Sequence, residues 1–181
     1  MAKYVYVDNS NIWIEGKFHS AVDKGMIGSV QEAHEYNLCD MEWRYDFGKL
    51  LNVAVDGDTS SVERAVLFGS TPPDNDTLWR LAKAAGFEPK TLPRNSAGKE
   101  KGVDTSVVVK IMEDLYTAGI ETNDEIVIVA GDADYVPVAN AIRGTGRRLI
   151  VVFWSNVSAE LKNLTDKFID LNQHLHSIEF K

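Results

Sequence analysis

The sequence has a single cysteine, Cys39, among 181 residues. One thiol excludes an internal disulfide framework and a cysteine-based zinc cage. No apolar run reaches the roughly 20 residues that a membrane-spanning helix needs. The chain enters the apolar run of residues 4–7 without the basic segment, hydrophobic stretch and cleavage site of a signal peptide. We therefore expect a soluble cytoplasmic protein with no membrane partner.

Positive charge is also scarce, because 19 Lys and Arg stand against 27 Asp and Glu, for a net charge of −8. Nucleic-acid-binding domains are usually basic, so this balance argues against a simple binder. Partners respond to local patches, however, and acids gathered around a bound cation do not repel a phosphate. The apolar fraction of 44% suffices for one well-buried core, and we expect a single domain over residues 1–181. The sequence leaves monomer and homodimer open.

Short apolar runs alternate with stretches of helical period, which predicts an α/β fold. The first, fourth and fifth runs are apolar nearly throughout, as expected of parallel strands covered on both faces. Residues 17–40 have little pattern and read as a helix end followed by a long loop. The predicted strands are residues 4–7, 64–68, 88–92, 125–130 and 149–153, and the predicted helices are residues 41–55, 74–85, 104–118, 135–143 and 158–164.

Acidic side chains follow two of these strands directly. Asp8 comes after the first strand, Asp132 and Asp134 come after the fourth, and Asp104 opens the helix that leads into the fourth. In doubly wound sheets, ligands bind beyond the carboxyl ends of the strands, where the strand order reverses. If the helix of Asp104 runs antiparallel to the strands, its first turn lies at the same edge. We therefore expect Asp8, Asp104 and Asp132 to converge there.

A helix cap or a strand end also explains each aspartate taken alone. Asp104 fits an N-cap, and Asp134 fits the N-cap of the helix that starts at Tyr135. Three or four carboxylates at one edge would repel one another unless protonated or bridged by a cation. Hard oxygen ligands suit Mg²⁺ or Mn²⁺, both of which leave room for a phosphate. The coincidence of position favours a metal site over independent caps.

Four motifs occur in order along the chain: DNSN at residues 8–11, KGVD at 101–104, VAGDADYV at 129–136, and SAEL at 158–161 followed by TDKFIDL at 165–171. Together they resemble the NYN domain of the PIN-like nuclease superfamily, in its bacterial LabA-like branch. The resemblance implies a three-layer Rossmann-like (PIN-like) fold, with a mainly parallel sheet of about five strands in the order 3-2-1-4-5 and helices on both faces. It also implies a metal-dependent ribonuclease site. The family's Mg²⁺ or Mn²⁺ ligands map onto Asp8, Asp104 and Asp132, with Asp134 as a fourth catalytic acid and Asn11 as a residue that orients ligands or substrate.

A nuclease of this kind hydrolyses the phosphodiester with a metal-activated water and needs no protein nucleophile. The phosphates of a single-stranded RNA require cations, and the loop before Asp104 carries three cationic side chains. These side chains either bind the RNA backbone or are simply solvated on a surface loop, and we weigh the two alternatives equally. A serine after the fifth strand either contacts a phosphate or caps the next helix, and the cap is favoured. Trp13 and Tyr135 flank the acidic segments and are able to stack on a base, although we expect Trp13 in the core. The loop cations are Arg94, Lys99 and Lys101, and the serine is Ser155.

The main alternative is a non-catalytic RNA-binding or scaffold module on the same fold, because fold does not fix function. The full set of acids argues against it and the acidic net charge argues for it. A response-regulator receiver is excluded, since the strands before residues 69 and 93 lead to Gly-Ser and Pro-Arg rather than to a phospho-accepting aspartate. A P-loop enzyme is excluded as well, because the chain lacks the G-x-x-x-x-G-K-[ST] run.

Overall fold

Six strands form a single parallel sheet in the computed structural model, which describes residues 1–71, 77–93, 102–117 and 119–181. The strand order is β3-β2-β1-β4-β5-β6, and every neighbouring pair is parallel. The α/β class and the order of the five predicted strands are therefore confirmed, and a sixth strand extends the sheet. The strands are β1 (Lys3–Asp8), β2 (Val62–Thr71), β3 (Glu88–Pro93), β4 (Glu125–Val129), β5 (Arg148–Phe153) and β6 (Lys167–Asp170).

Eight helices surround the sheet in the part of the chain that the structure describes. Because parallel crossovers are right-handed, connections that run toward β3 and connections that run toward β6 place their helices on opposite faces. The helices are α1 (Asn9–Asp23), α2 (Val30–Glu35), α3 (Phe47–Ala54), α4 (Thr77–Ala84), α5 (Val103–Thr117), α6 (Val136–Gly144), α7 (Ala159–Leu164) and α8 (Leu175–Ile178), with 3-10 turns at Thr59–Ser61, Ala133–Tyr135 and Leu171–His174. No helix among the described residues is long and apolar enough to cross a bilayer.

The two central strands carry the core. All six residues of β1 and all five of β4 are buried, which agrees with their nearly continuous apolar sequence. The strand order reverses between these two strands, since β2 lies on the far side of β1 and β5 on the far side of β4. The carboxyl ends of β1 and β4 thus define the topological switch point, where such sheets bind ligands.

A buried ion cluster fixes α5 on this sheet. Asp114 of α5 is only 1% exposed. Its carboxylate accepts hydrogen bonds from the Tyr6 hydroxyl (2.8 Å), Arg64 Nη1 (2.9 Å) and Lys110 Nζ (2.8 Å). Burial by itself raises the pKa of Asp114, but the bonds from Lys110 and Tyr6 and the charges of Lys110 and Arg64 lower it below its usual value. The cluster joins α5 to β1 and β2 and so sets where the first turn of α5 lies.

Two of the predicted segments differ from the structure, and one strand of the structure was not predicted. The helix expected over residues 41–55 spans only Phe47–Ala54, because Asp46 caps its start by accepting a hydrogen bond from Lys49 N (2.9 Å). The loop expected over residues 17–40 contains α2, which begins after Ser29. The sixth strand, β6, was not predicted, since four residues of mixed polarity at a sheet edge carry no clear period. Residues 74–76 of the predicted fourth helix lie outside the described residues.

Candidate active site

The first turn after β1 and the turn after β4 meet at the switch point. Asp8 ends β1 and is the N-cap of α1, where its Oδ1 accepts a hydrogen bond from Asn11 N (3.1 Å). The turn after β4 packs directly on β5, because a Cβ at Gly131 would overlap the ring of Phe153. The missing side chain at Gly131 is therefore what lets this turn approach the neighbouring strand.

All four aspartates predicted from the sequence lie on the wall of one cavity of about 250 Å³ at this edge, which we call the acidic cavity. They come from three segments: the end of β1, the first turn of α5, and the turn after β4. Asp8 is buried, Asp104 is half-buried, and Asp132 and Asp134 are exposed at the mouth. The wall consists of Asp8, Ser10, Asn11, Ile14, Glu15, Gly102, Val103, Asp104, Asp132 and Asp134.

Tyr135 holds the Asp8 carboxylate from the other side. Its hydroxyl donates to Asp8 Oδ2 at 2.7 Å, and the ring is fully buried. Burial, the charge of Asp8 and this hydrogen bond all raise the pKa of Tyr135, so the hydroxyl keeps its proton and remains a donor. Tyr135 therefore positions the buried acid and is not available for stacking on a base.

Asn11 joins the two turns of the site. Its Nδ2 donates to Asp132 Oδ2 (2.8 Å), and its Oδ1 accepts from Gly131 N (2.9 Å). The side-chain amide thus uses its donor and its acceptor on consecutive residues of the turn after β4. The orienting role that the resemblance implies for Asn11 has a direct geometric counterpart, since the amide fixes the direction of the Asp132 carboxylate.

Like charges crowd Asp132. The residue as a whole is exposed, but partial burial of its carboxylate against the cavity wall raises its pKa. Repulsion from Glu15, Asp134 and Asp104 raises the pKa further, and the hydrogen bond from Asn11 offsets part of the rise. The acids are therefore close enough to affect one another, and a cation in the cavity would relieve the repulsion.

Helix capping, the alternative to a metal site, accounts for only one of the four aspartates. Asp8 is a cap. Asp104 is not at the cap position of α5, because the helical hydrogen bonds begin with Ser106 N donating to Gly102 O (2.9 Å) and Asp104 lies inside the first turn. Asp134 accepts no capping hydrogen bond from the start of α6, where the structure shows no side-chain cap. Helix capping therefore does not explain why Asp104 and Asp134 lie on the cavity wall.

The acids do not form a closed metal cage. Within residues 1–71, 77–93, 102–117 and 119–181, no three His, Cys, Asp or Glu side chains are grouped tightly enough to hold an ion by themselves. Mg²⁺ usually keeps several waters and is held by only one or two carboxylates. The oxygen-only, mutually repelling donors of the acidic cavity therefore fit a hydrated divalent ion rather than one enclosed by protein.

Glu15, which was not predicted from the sequence, is a fifth acid on the cavity wall. It lies one helical turn after Asn11, and this i, i+4 spacing is the signal that places both on one face of α1. Glu15 Oε2 accepts from Asn156 Nδ2 (2.7 Å), and Asn156 Oδ1 is 3.1 Å from His19 Nε2. Burial lowers the pKa of His19, which stacks on Trp154 as a neutral ring. His19 thus has a packing role.

The described residues do not confirm the predicted phosphate contacts. Ser155 is not on the wall of the acidic cavity, and its backbone N–H donates to Asn172 Oδ1 (2.7 Å). The cap assigned to Ser155 is wrong, because Ser158 caps α7 by accepting from Leu161 N. The cations proposed to bind RNA, Arg94, Lys99 and Lys101, lie outside the described residues.

Comparisons with known proteins agree with this architecture. A chain of unknown function from Vibrio parahaemolyticus superimposes with a TM-score of 0.63 over 99% of this chain and 96% of its own, at 14% identity, which shows a shared fold. The "Low amplitude and bright protein LabA" of Synechococcus elongatus is 35% identical over 72 residues, a stretch that spans 39% of this chain and 38% of the relative. The NYN domain model matches residues 4–172. The family predicted from the four motifs is thereby confirmed, and this chain belongs to the NYN domain family.

Proposed function

We propose that this protein is a Mg²⁺- or Mn²⁺-dependent ribonuclease that hydrolyses phosphodiester bonds in single-stranded RNA. One observation carries the proposal: four aspartates from three separate segments line a single cavity at the switch point of the sheet. Two of them, Asp104 and Asp134, have no capping role that would account for their position. Membership of a nuclease superfamily agrees with hydrolysis as the reaction.

Each acid has a distinct part in the proposal. Asp8, Asp104 and Asp132 on the cavity wall would hold the ion through their carboxylate oxygens. Asp134, exposed at the mouth, accepts the proton of the attacking water. A bound divalent ion lowers the pKa of water and offsets the charge of the phosphoryl oxygens. Without an ion, the cavity repels a phosphate, so binding of substrate and binding of metal are expected to be coupled.

The surrounding residues keep the acids in place. The amide of Asn11 and the hydroxyl of Tyr135 each hold one carboxylate at 2.7–2.8 Å. A carboxylate fixed by a buried neighbour cannot rotate away from an approaching substrate, and such preorganisation is a large part of enzymatic rate enhancement. Both residues are therefore positioning residues that act through Asp132 and Asp8.

The test is incubation with labelled single-stranded RNA in Mg²⁺, Mn²⁺ or EDTA, for the wild type and Asp132→Asn. Glu35→Gln, a neutralised exposed acid on α2, is the matched control. We expect metal-dependent cleavage by the wild type and the control, and its loss in Asp132→Asn. Equal cleavage by all three proteins would indicate a contaminating nuclease and refute the proposal. RNA binding without metal-dependent cleavage would support the non-catalytic RNA-binding module instead.

A further inference from the structure

A second cavity, of about 450 Å³, lies beside the acidic cavity. We propose that it binds a nucleobase of single-stranded RNA whose phosphate lies at the acidic cavity, an inference that rests on the proposed function. We call it the aromatic groove because five aromatic side chains line it. These are Trp13, Tyr45, Phe47, Trp79 and Phe180.

The two cavities are neighbours across the first turn of α1. Ser10 lines both of them. Asn9 and Trp13, four residues apart on one helix face, line the aromatic groove, whereas Asn11 and Glu15, also four residues apart, line the acidic cavity. Because the two cavities share Ser10, a single RNA strand, which carries both a phosphate and a planar base, is able to occupy both.

Among the described residues, the charged side chains on the groove wall are Arg44 and Asp46. Arg44 is exposed and lines the groove, with its guanidinium carbon 5.4 Å from the centre of the Trp13 ring. Lys17 Nζ lies 3.7 Å from the same centre, but Lys17 is buried and does not line the groove. Guanidinium planes and aromatic rings are the surfaces on which RNA-binding proteins stack unpaired bases. The exposed guanidinium of Arg44 beside the Trp13 ring therefore favours a nucleic acid over an apolar peptide as the occupant.

The groove also exposes apolar surface. Leu78, Leu81 and Phe180 are 41%, 51% and 56% exposed, and a volume of about 450 Å³ falls within the range of small-ligand sites. The flat faces of a base match the apolar rings that line the groove.

The test compares two probes in the Asp132→Asn background with Mg²⁺, where the proposed function predicts that RNA stays intact. One probe is a short labelled single-stranded RNA, and the other is the same backbone with abasic sugars. We expect Trp13→Leu and Phe180→Ala each to weaken binding of the RNA by about 5- to 100-fold, since stacking of one base contributes that much. Binding of the abasic probe is expected to change less than twofold. Tyr116→Ala, which removes an aromatic ring that is 74% exposed at the end of α5, is the matched control.

Phe180 makes the test independent of folding, because its exposed side chain is removable without opening the core. Equal loss for both probes, or no loss for either, overturns the groove as a base site. A groove variant that changes the oligomeric state in sedimentation without changing RNA affinity assigns the groove to a protein interface and also overturns it. Base-dependent binding in a wild type that cleaves no RNA supports the groove and refutes the nuclease. Cleavage of intact RNA that Phe180→Ala leaves unchanged in KM refutes the groove and leaves the nuclease standing.

Discussion

Neutralising Asp132 is expected to stabilise the protein when no divalent ion is present. Asp132→Asn keeps the shape of the side chain, and the amide oxygen still accepts the 2.8 Å hydrogen bond from Asn11 Nδ2. The substitution therefore removes a negative charge and little else. It measures the cost of this charge, to which burial of the carboxylate contributes most and repulsion within the acidic cavity contributes further.

The size of the effect follows from the neighbours of Asp132. Glu15, Asp134 and Asp104 each repel its charge. A single charge pair at a solvent-exposed position contributes about 0.2–1 kcal/mol, and solvent screens each of these. We expect a net gain of about 0.5–2 kcal/mol in the free energy of unfolding at pH 7. Because the folded-state pKa of Asp132 is raised, its charge destabilises the fold above that pKa, and the gain should shrink as the pH falls through it.

Urea denaturation at low ionic strength measures the gain, first in EDTA and then in Mg²⁺. An ion that binds only the folded wild type stabilises it by mass action, so Mg²⁺ should narrow or reverse the difference between the two proteins. Glu35→Gln should stay within about 0.5 kcal/mol of the wild type in both conditions. A variant less stable than the wild type in EDTA would refute the repulsion. Equal stabilisation of both proteins by Mg²⁺ would refute Asp132 as a ligand.

Three further substitutions test the supports of the site. Tyr135→Phe removes the donor to Asp8 and should lower the free energy of unfolding by about 1.5–3 kcal/mol, measured by urea denaturation. Asp114→Asn breaks the buried cluster and should destabilise by about 2–4 kcal/mol at neutral pH. The difference in stability between the wild type and Asp114→Asn should shrink as the pH falls. The pKa of Asp114 is lowered in the folded protein, so its charge stabilises the fold above the unfolded-state pKa, and this contribution is lost as the pH falls through the folded-state pKa. Gly131→Ala pushes the turn away from Phe153 and should lower the melting temperature by several degrees and abolish cleavage.

Matched controls separate these effects from unspecific ones. Tyr36→Phe removes the hydroxyl of a tyrosine that is 69% exposed and should leave stability unchanged. Gly144→Ala adds a Cβ that meets nothing within 4 Å and should be tolerated. Tyr135→Phe at wild-type stability, or Gly131→Ala with full activity, would contradict the proposed geometry. If the free energy of unfolding of Asp114→Asn changed with pH in parallel with that of the wild type, the loss of stability at low pH would come from groups other than Asp114.

The parts of the site that could be predicted are those that depend on short stretches of sequence. The runs that became β1 and β4 are apolar nearly throughout, which marks central parallel strands, and the aspartates that follow these runs within three residues must lie at the carboxyl edge. Asp8 and Asp132 were therefore placed without knowledge of any contact between them. The capping pair Ser29 and Glu32, which starts α2, was also present in the sequence and was overlooked.

Other features depend on contacts between distant segments. Asn11 and Asp132 are 121 positions apart, and their hydrogen bond exists only because β1 and β4 are adjacent. The edge strand β6 gains its conformation from pairing with β5, since its own four residues have no strong preference. Trp13 was expected in the core, yet it is only half-buried and lines the aromatic groove.

The sequence by itself determined the fold class and the acids at the carboxyl ends of the strands, because these follow from local polarity and chain order, and its resemblance to the NYN domain supplied the strand order. Only the tertiary structure decided that Glu15 belongs to the same wall, that Ser155 does not, and that an aromatic groove adjoins the acidic cavity across Ser10. The physical reason is that side-chain proximity depends on how helices pack on the sheet. That packing is set by long-range contacts such as the Asp114 cluster, which no short segment encodes.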